Sequence, residues 1–164
     1  MSKCDLVPGV IDTMRVALLE YVPQARELGM EIIEAKVSEC WMRVPYSERL
    51  IGDPRTGVIH GGVITTLLDN GCGAAVQLSF PERQSIATLD LRIDYMKAAT
   101  PGLALIAYTH CYKVARSVAF VRGTAYHDDI ADPIATCVGT FMLGANRAAP
   151  VAVALAAQHD QKGA

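Results

Sequence analysis

The sequence predicts an α+β fold in which a curved antiparallel sheet wraps around one long central helix. Three observations carry this expectation. Residues 56–80, reading TGVIHGGVITTLLDNGCGAAVQLSF, place His-Gly-Gly at a helix start and continue for roughly twenty residues with one formal charge, Asp69. A helix that is apolar on nearly every face requires cover over most of its circumference, and a curved sheet supplies it. After Pro81 the period changes from helical to alternating. The strand-like segments that follow are joined by short links, which favour antiparallel neighbours.

Taken in order, Val10, Met14, Ala17, Leu18 and Tyr21 fall at helical spacing, and Pro23 stops the run. Residues 1–27 form an N-terminal helical segment on this pattern. Residues 30–37 and 40–45 are short apolar runs split by Ser38-Glu39, a hairpin signal. Residues 46–58 contain GDPRTG, a loop that leads into the His-Gly-Gly helix. In residues 88–96, Leu89, Leu91, Ile93 and Tyr95 alternate with Thr88, Asp90, Arg92 and Asp94, which marks a half-buried strand. Pro101-Gly102 makes a turn, and residues 103–114, 118–127 and 133–143 read as three further strands. Ala115-Arg116-Ser117 and residues 128–132 connect them. The main domain therefore runs over 28–143. Residues 144–164 form an Ala-rich tail, expected to be mobile or to lie on the surface.

The chain has 164 residues, 51% of them hydrophobic and 20% charged, enough for one domain with a proper core. A net charge of −2 without blocks of like charge disfavours a nucleic-acid partner. The cysteines Cys4, Cys40, Cys72, Cys111 and Cys137 are scattered, with no C-x-x-C pair, and the start MSKCDLVPGV lacks signal-peptide character. Reduced thiols and a cytoplasmic location follow. A membrane span is disfavoured, because Asp69, Asn70, Gln77 and two glycines interrupt residues 63–80.

A lone carboxylate in an apolar helix is costly unless something pairs with it or uses it, so Asp69 marks a candidate site. Gly57, the triplet His60-Gly61-Gly62, Asp69 nine positions after His60, and the strand ATLDLRIDYMKAATPG at 87–102 together resemble the hotdog fold. Within it they resemble the phenylacetate-pathway-like (PaaI-like) acyl-CoA thioesterases. The resemblance covers about residues 28–143. It implies that Asp69 acts as general base or nucleophile on the thioester, and that the Gly61 N–H meets the thioester oxygen. It further implies that Thr88 orients the carboxylate or water. It calls for no metal or redox cofactor, and coenzyme A enters as part of the substrate. One departure stands out: family members often carry an Asn in the loop before His-Gly-Gly, and this chain has Asp53-Pro54 there. Either Asp53 replaces it or water is held differently.

Thioester hydrolysis needs an activated nucleophile and donors aimed at the developing oxyanion. A helix N-terminus offers unpaired N–H groups, and glycine there admits a carbonyl close to the backbone. His60 is placed to orient the loop or the substrate. Gly61 and Asp69 are eight residues apart, roughly 12 Å along a helix at about 1.5 Å per residue. One straight helix cannot bring both to one thioester. A site shared between antiparallel helices of two subunits can, so a homodimer, or a dimer of dimers, is expected. Gly62, Val63, Ile64 and Leu67 are candidates for lining the substrate site, the last three as an acyl pocket. Arg116, then Lys97 and Arg55, are the candidate cations for the phosphates of CoA.

Two other functions fit the same sequence. One is a hydratase or dehydratase of enoyl or hydroxyacyl thioesters, and the other a non-catalytic acyl-CoA binder. The turn His127-Asp128-Asp129 with Asp132 has metal-ligand residue types, but Asp belongs in turns. Gly71-x-Gly73 lies inside a helix and is assigned to packing, and Cys72 makes a poor candidate nucleophile.

Overall fold

The computed structural model describes residues 22–144 together with Leu19. The helix expected over 10–21 and the tail at 145–164 lie outside these residues, Leu19 apart. Pro23 does more than stop a run: it occupies the first turn of a short helix, α1 (Pro23–Glu27). There its missing N–H costs nothing and its fixed φ suits the helix.

Strands β1 (Glu31–Lys36) and β2 (Glu39–Val44) pair through a tight turn in which Ser38 takes a φ of 64°. Residues 46–58 hold more than a loop. A 3-10 turn (Glu48–Leu50) runs into β3 (Ile51–Asp53), which pairs with β4 (Val58–Ile59) as a small second sheet. The central helix α2 spans Gly61–Gln77, three residues shorter at its C-terminal end than the apolar run suggests. Strands β5 (Ile86–Tyr95), β6 (Leu105–Val114), β7 (Val118–Tyr126) and β8 (Ala135–Leu143) follow. The main sheet has six strands in the order β1-β2-β6-β7-β8-β5, antiparallel throughout. The α+β hotdog architecture expected from the sequence is the one observed.

The inner face of the sheet is built largely from small residues. Ala107, Ala119, Ala125 and Ala135 are fully buried, and Cys111 and Cys137 nearly so. Their short side chains let α2 lie close to the strands, where Leu67 and Leu68 are both fully buried. Each such leucine contributes roughly 1.5–3 kcal/mol of apolar burial. The closest approach is at Gly71, where a Cβ would come 2.9 Å from Cγ2 of Thr109. Thr109 is the fully buried polar residue of the core. Its hydroxyl lies 2.8 Å from Gly71 O and 3.1 Å from Cys40 O, tying helix to sheet. The assignment of Gly71 to packing agrees with this contact.

Strand β5 departs from simple alternation. Its register against β8 slips between Thr88 and Asp90, leaving Leu89 as a bulged residue, 53% exposed. A bulge moves the following residues to the opposite face. Thr88 therefore shares the helix-facing side with Leu91 and Ile93, and Leu89 does not. Uninterrupted alternation puts Thr88 on the outer face, and the bulge corrects that. Among the described residues, no helix is long and apolar enough to cross a membrane.

Candidate active site

The helix start is organised by His60. It is the N-cap, in extended conformation at φ −60° and ψ 134°, and its Nδ1 accepts the Gly62 N–H at 3.0 Å. Acceptance at Nδ1 leaves the hydrogen of the neutral His60 ring on Nε2. The backbone is fixed too: His60 N–H donates to Leu50 O and Val63 N–H donates to His60 O, both at 2.9 Å. Gly52 of β3 packs against this residue so closely that a Cβ there would lie 2.8 Å from the His60 Cα. The Gly61 N–H, between these contacts, takes part in neither the Nδ1 bond nor the Val63 bond.

The two glycines of the triplet differ. A Cβ on Gly62 would meet His60 Nδ1 at 2.9 Å, so the cap itself demands glycine. A Cβ on Gly61 would meet nothing closer than the Tyr95 hydroxyl at 3.5 Å, an ordinary contact. Packing inside the chain does not require glycine at position 61, which leaves the backbone there open to close approach.

From this start, one stripe of α2 stays open while its other residues up to Val76 are buried. Gly61, Gly62, Thr65, Thr66, Asp69 and Asn70 remain partly or fully exposed, and every residue from Gly71 to Val76 is buried. Positions three and four apart share a helix face, so these residues form one polar strip two residues wide. Hydrogen bonds run along it. Thr66 Oγ1 donates to Gly62 O at 2.9 Å, Thr65 Oγ1 to Gly61 O at 3.3 Å, and Asn70 Nδ2 to Thr66 O at 2.9 Å. Strand β5 grips both ends. Thr88 Oγ1 donates to Asp69 Oδ1 at 2.9 Å, and the Tyr95 hydroxyl donates to Gly61 O at 2.9 Å. Tyr95 was legible in the sequence only as an inward strand residue, because its bond to Gly61 spans 34 positions.

The structure brings His60, Gly61, Gly62, Asp69 and Thr88 onto this strip and its border, and sets the other sequence candidates elsewhere. Val63, Ile64 and Leu67 turn into the core, at 7%, 3% and 0% exposure. Arg116 stands exposed at the tip between β6 and β7, at the end of the sheet where β8 finishes and β5 begins. It makes no ion pair with a described residue. Lys97 is paired with Asp132. Arg55 holds both carboxylate oxygens of Asp53 at 3.0 Å and keeps that carboxyl below its usual range.

Other titratable groups have structural roles. His127 places Nδ1 2.7 Å from Ala104 O and accepts the Thr100 N–H on Nε2 at 2.8 Å, so both ring nitrogens are used. Cys72 and Cys137 bring their sulfurs to 3.8 Å inside the core. The hydrogen bond between them, then burial, push the Cys72 thiol well above its usual range, against a nucleophilic role.

Residues 56–134, which hold the helix start, Asp69, Thr88 and Tyr95, match the model of the thioesterase superfamily. A Pseudomonas aeruginosa protein of solved structure is 40% identical, with 80% of this chain and 98% of that chain covered at a TM-score of 0.73. The medium/long-chain acyl-CoA thioesterase YigI of Escherichia coli strain K12 is 25% identical over 137 residues, 76% of this chain and 87% of that protein. PaaI of Escherichia coli, from the phenylacetic acid degradation operon, shares the fold at a TM-score of 0.71 and 15% identity, covering 81% of this chain and 92% of that one. Two curated relatives, from Halobacterium salinarum and Pseudomonas aeruginosa and both named only provisionally as esterases, match over 52% and 63% of their own lengths. The chain belongs to the thioesterase superfamily and has its hotdog fold.

Proposed function

We propose that this protein hydrolyses acyl-CoA thioesters to free acid and CoA, at a site completed by a second copy of the chain. The observation that carries this reading is the Thr88–Asp69 hydrogen bond of 2.9 Å on an open polar strip, with the Gly61 N–H at its other end. Asp69 activates water or attacks the thioester carbon directly, and Thr88 fixes the carboxylate by holding Oδ1. The Gly61 N–H receives the oxyanion in the positive field of the helix start. His60 fixes that start through Nδ1 and presents Nε2–H to the substrate.

Asp69 and Gly61 of one protomer are separated by roughly 12 Å of helix, too far to serve one carbonyl. The molecule offers the means for a second copy to close that gap. The polar strip on α2 is open, and next to it β5 is a ten-residue edge strand with its outer backbone groups unpaired within the sheet. Long open edges invite pairing with another chain. Antiparallel packing of two strips sets Asp69 of one copy beside the partner's Gly61, twice per dimer. A dimer of dimers fits as well. Arg116, without an ion-pair partner among the described residues, is the leading cation for a CoA phosphate. An acyl chain that reaches Val63, Ile64 and Leu67 enters between α2 and the sheet. The reaction needs no cofactor beyond the CoA of the substrate, and a cytoplasmic location goes with such substrates.

The test is release of free thiol from short, medium, long and aromatic acyl-CoAs by wild type and Asp69→Asn, alongside their masses in solution. The likeness to YigI puts medium- and long-chain substrates first. Release by wild type that falls at least 10²-fold in a folded, equally dimeric Asp69→Asn supports the assignment. Equal turnover by the two sinks it. Hydration of an enoyl thioester without thiol release favours the hydratase. Tight binding without turnover favours the binder.

A further inference from the structure

The Gly61–Gly62 peptide unit is held at both of its polar ends. Its N–H, on Gly62, goes to His60 Nδ1 at 3.0 Å, and its C=O, on Gly61, takes the Tyr95 hydroxyl at 2.9 Å. Two consecutive glycines at a helix end have the widest conformational freedom the chain can offer, and helix ends fray. The Gly61 N–H belongs to the preceding peptide unit and joins this plane at the Gly61 Cα, so a shift of the plane at that flexible residue changes the angle between the N–H and the held carbonyl. Thr65 buttresses the contact. Its Oγ1 is 2.8 Å from the Tyr95 hydroxyl and 3.3 Å from Gly61 O. Two hydroxyl hydrogens thus serve three close contacts around one carbonyl.

Tyr95 is not an obvious packing residue. It is 50% exposed at the end of an edge strand, so its burial in the protomer contributes little. Its hydroxyl would lie 3.5 Å from a Cβ on Gly61, over the residue assigned to the oxyanion. The bulge at Leu89 is what puts Thr88 and Tyr95 on one face. One strand thereby holds Asp69 with its first helix-facing hydroxyl and Gly61 with its last.

We propose that Tyr95 is a positioning residue for hydrolysis, its hydroxyl locking the Gly61–Gly62 peptide so that the Gly61 N–H stays aimed at the thioester oxygen. This rests on the reading above, in which Gly61 is the oxyanion donor. A displaced donor lowers the rate of the chemical step and leaves ground-state binding of the acyl-CoA largely intact.

The experiment compares wild type and Tyr95→Phe, as full chains, by steady-state thiol release and by NMR amide exchange at Gly62. Phenylalanine keeps the ring and removes the hydroxyl. The expected result is a kcat lower by about tenfold, KM within about twofold, an unchanged Tm, and faster exchange at Gly62, whose N–H is bonded to His60 Nδ1. An unchanged kcat with an active wild type overturns this proposal and leaves the thioesterase standing. A rise in KM alone overturns it as well, since it makes Tyr95 a substrate contact. Unchanged amide exchange shows that no clamp exists. A wild type that releases no thiol removes the hydrolase reading and this role with it.

Discussion

The two halves of α2 follow different physical rules although they belong to one uninterrupted helix. From Gly71 to Val76 every residue is buried, and the residue choice answers to the sheet above it. From Gly61 to Asn70 only Val63, Ile64, Leu67 and Leu68 are buried, and a polar strip stays open. The contrast is sharpest between two glycines. Gly71 has no room for a Cβ, with Thr109 at 2.9 Å, whereas Gly61 has ordinary clearance of 3.5 Å. One glycine is explained by the protomer and the other is not, and the unexplained one lies where a substrate carbonyl is expected. Residues that the fold does not require are the better guide to function.

Exchanging each glycine for alanine sets the two halves against one another. Gly61→Ala is expected to lower kcat/KM by about 10²-fold, because the new methyl blocks a carbonyl from the Gly61 N–H. Its stability should stay level or rise by up to about 1 kcal/mol, since alanine is the better helix former. Gly71→Ala is expected to do the reverse, losing about 1–3 kcal/mol to overpacking against Thr109 while the residual folded protein keeps its turnover per site. Chemical denaturation and thiol release on the same two variants decide it. Matching losses of stability from both substitutions would erase the distinction.

Thr88→Val sharpens the comparison from the strand side. It removes the hydroxyl on Asp69 and keeps the shape, so kcat should fall about tenfold with a change in stability below about 1 kcal/mol. An exposed, purely structural threonine would leave kcat alone.

The smallest effect concerns the strands that cover the buried half. Cys40, whose carbonyl meets Thr109, has its thiol pushed up to about 12 from 9.0 by burial. The folded state holds this proton more tightly than the unfolded chain. Its contribution is therefore complete below pH 9 and is lost as pH rises from about 9 to about 12. Between pH 8 and pH 10 wild type should lose about 1 kcal/mol of stability that Cys40→Ala does not, read as urea midpoints at the two pH values. Parallel losses in both proteins would assign the alkaline sensitivity to other groups.

Much of this protein was determined by its sequence alone, and the reason is periodicity. An apolar run with one charge demanded a covered helix, alternation demanded half-buried strands, and the observed strand bounds differ from those expected by at most two residues. Asp69, His60 and the glycines were legible because a charge in an apolar helix and glycines at a helix start are local anomalies. Tertiary structure alone decided the rest. The bulge at Leu89 turned Thr88 inward, and a slip of one residue in pairing leaves no mark in a pattern of alternating side chains. The hairpin of β3 and β4 hides in a stretch with the composition of a loop. The separation of Gly61 from Gly71 rests on distances to Tyr95 and Thr109, residues 34 and 38 positions away along the chain. Such contacts arise only when the sheet closes over the helix, because local sequence fixes the period of each element and packing fixes what it meets.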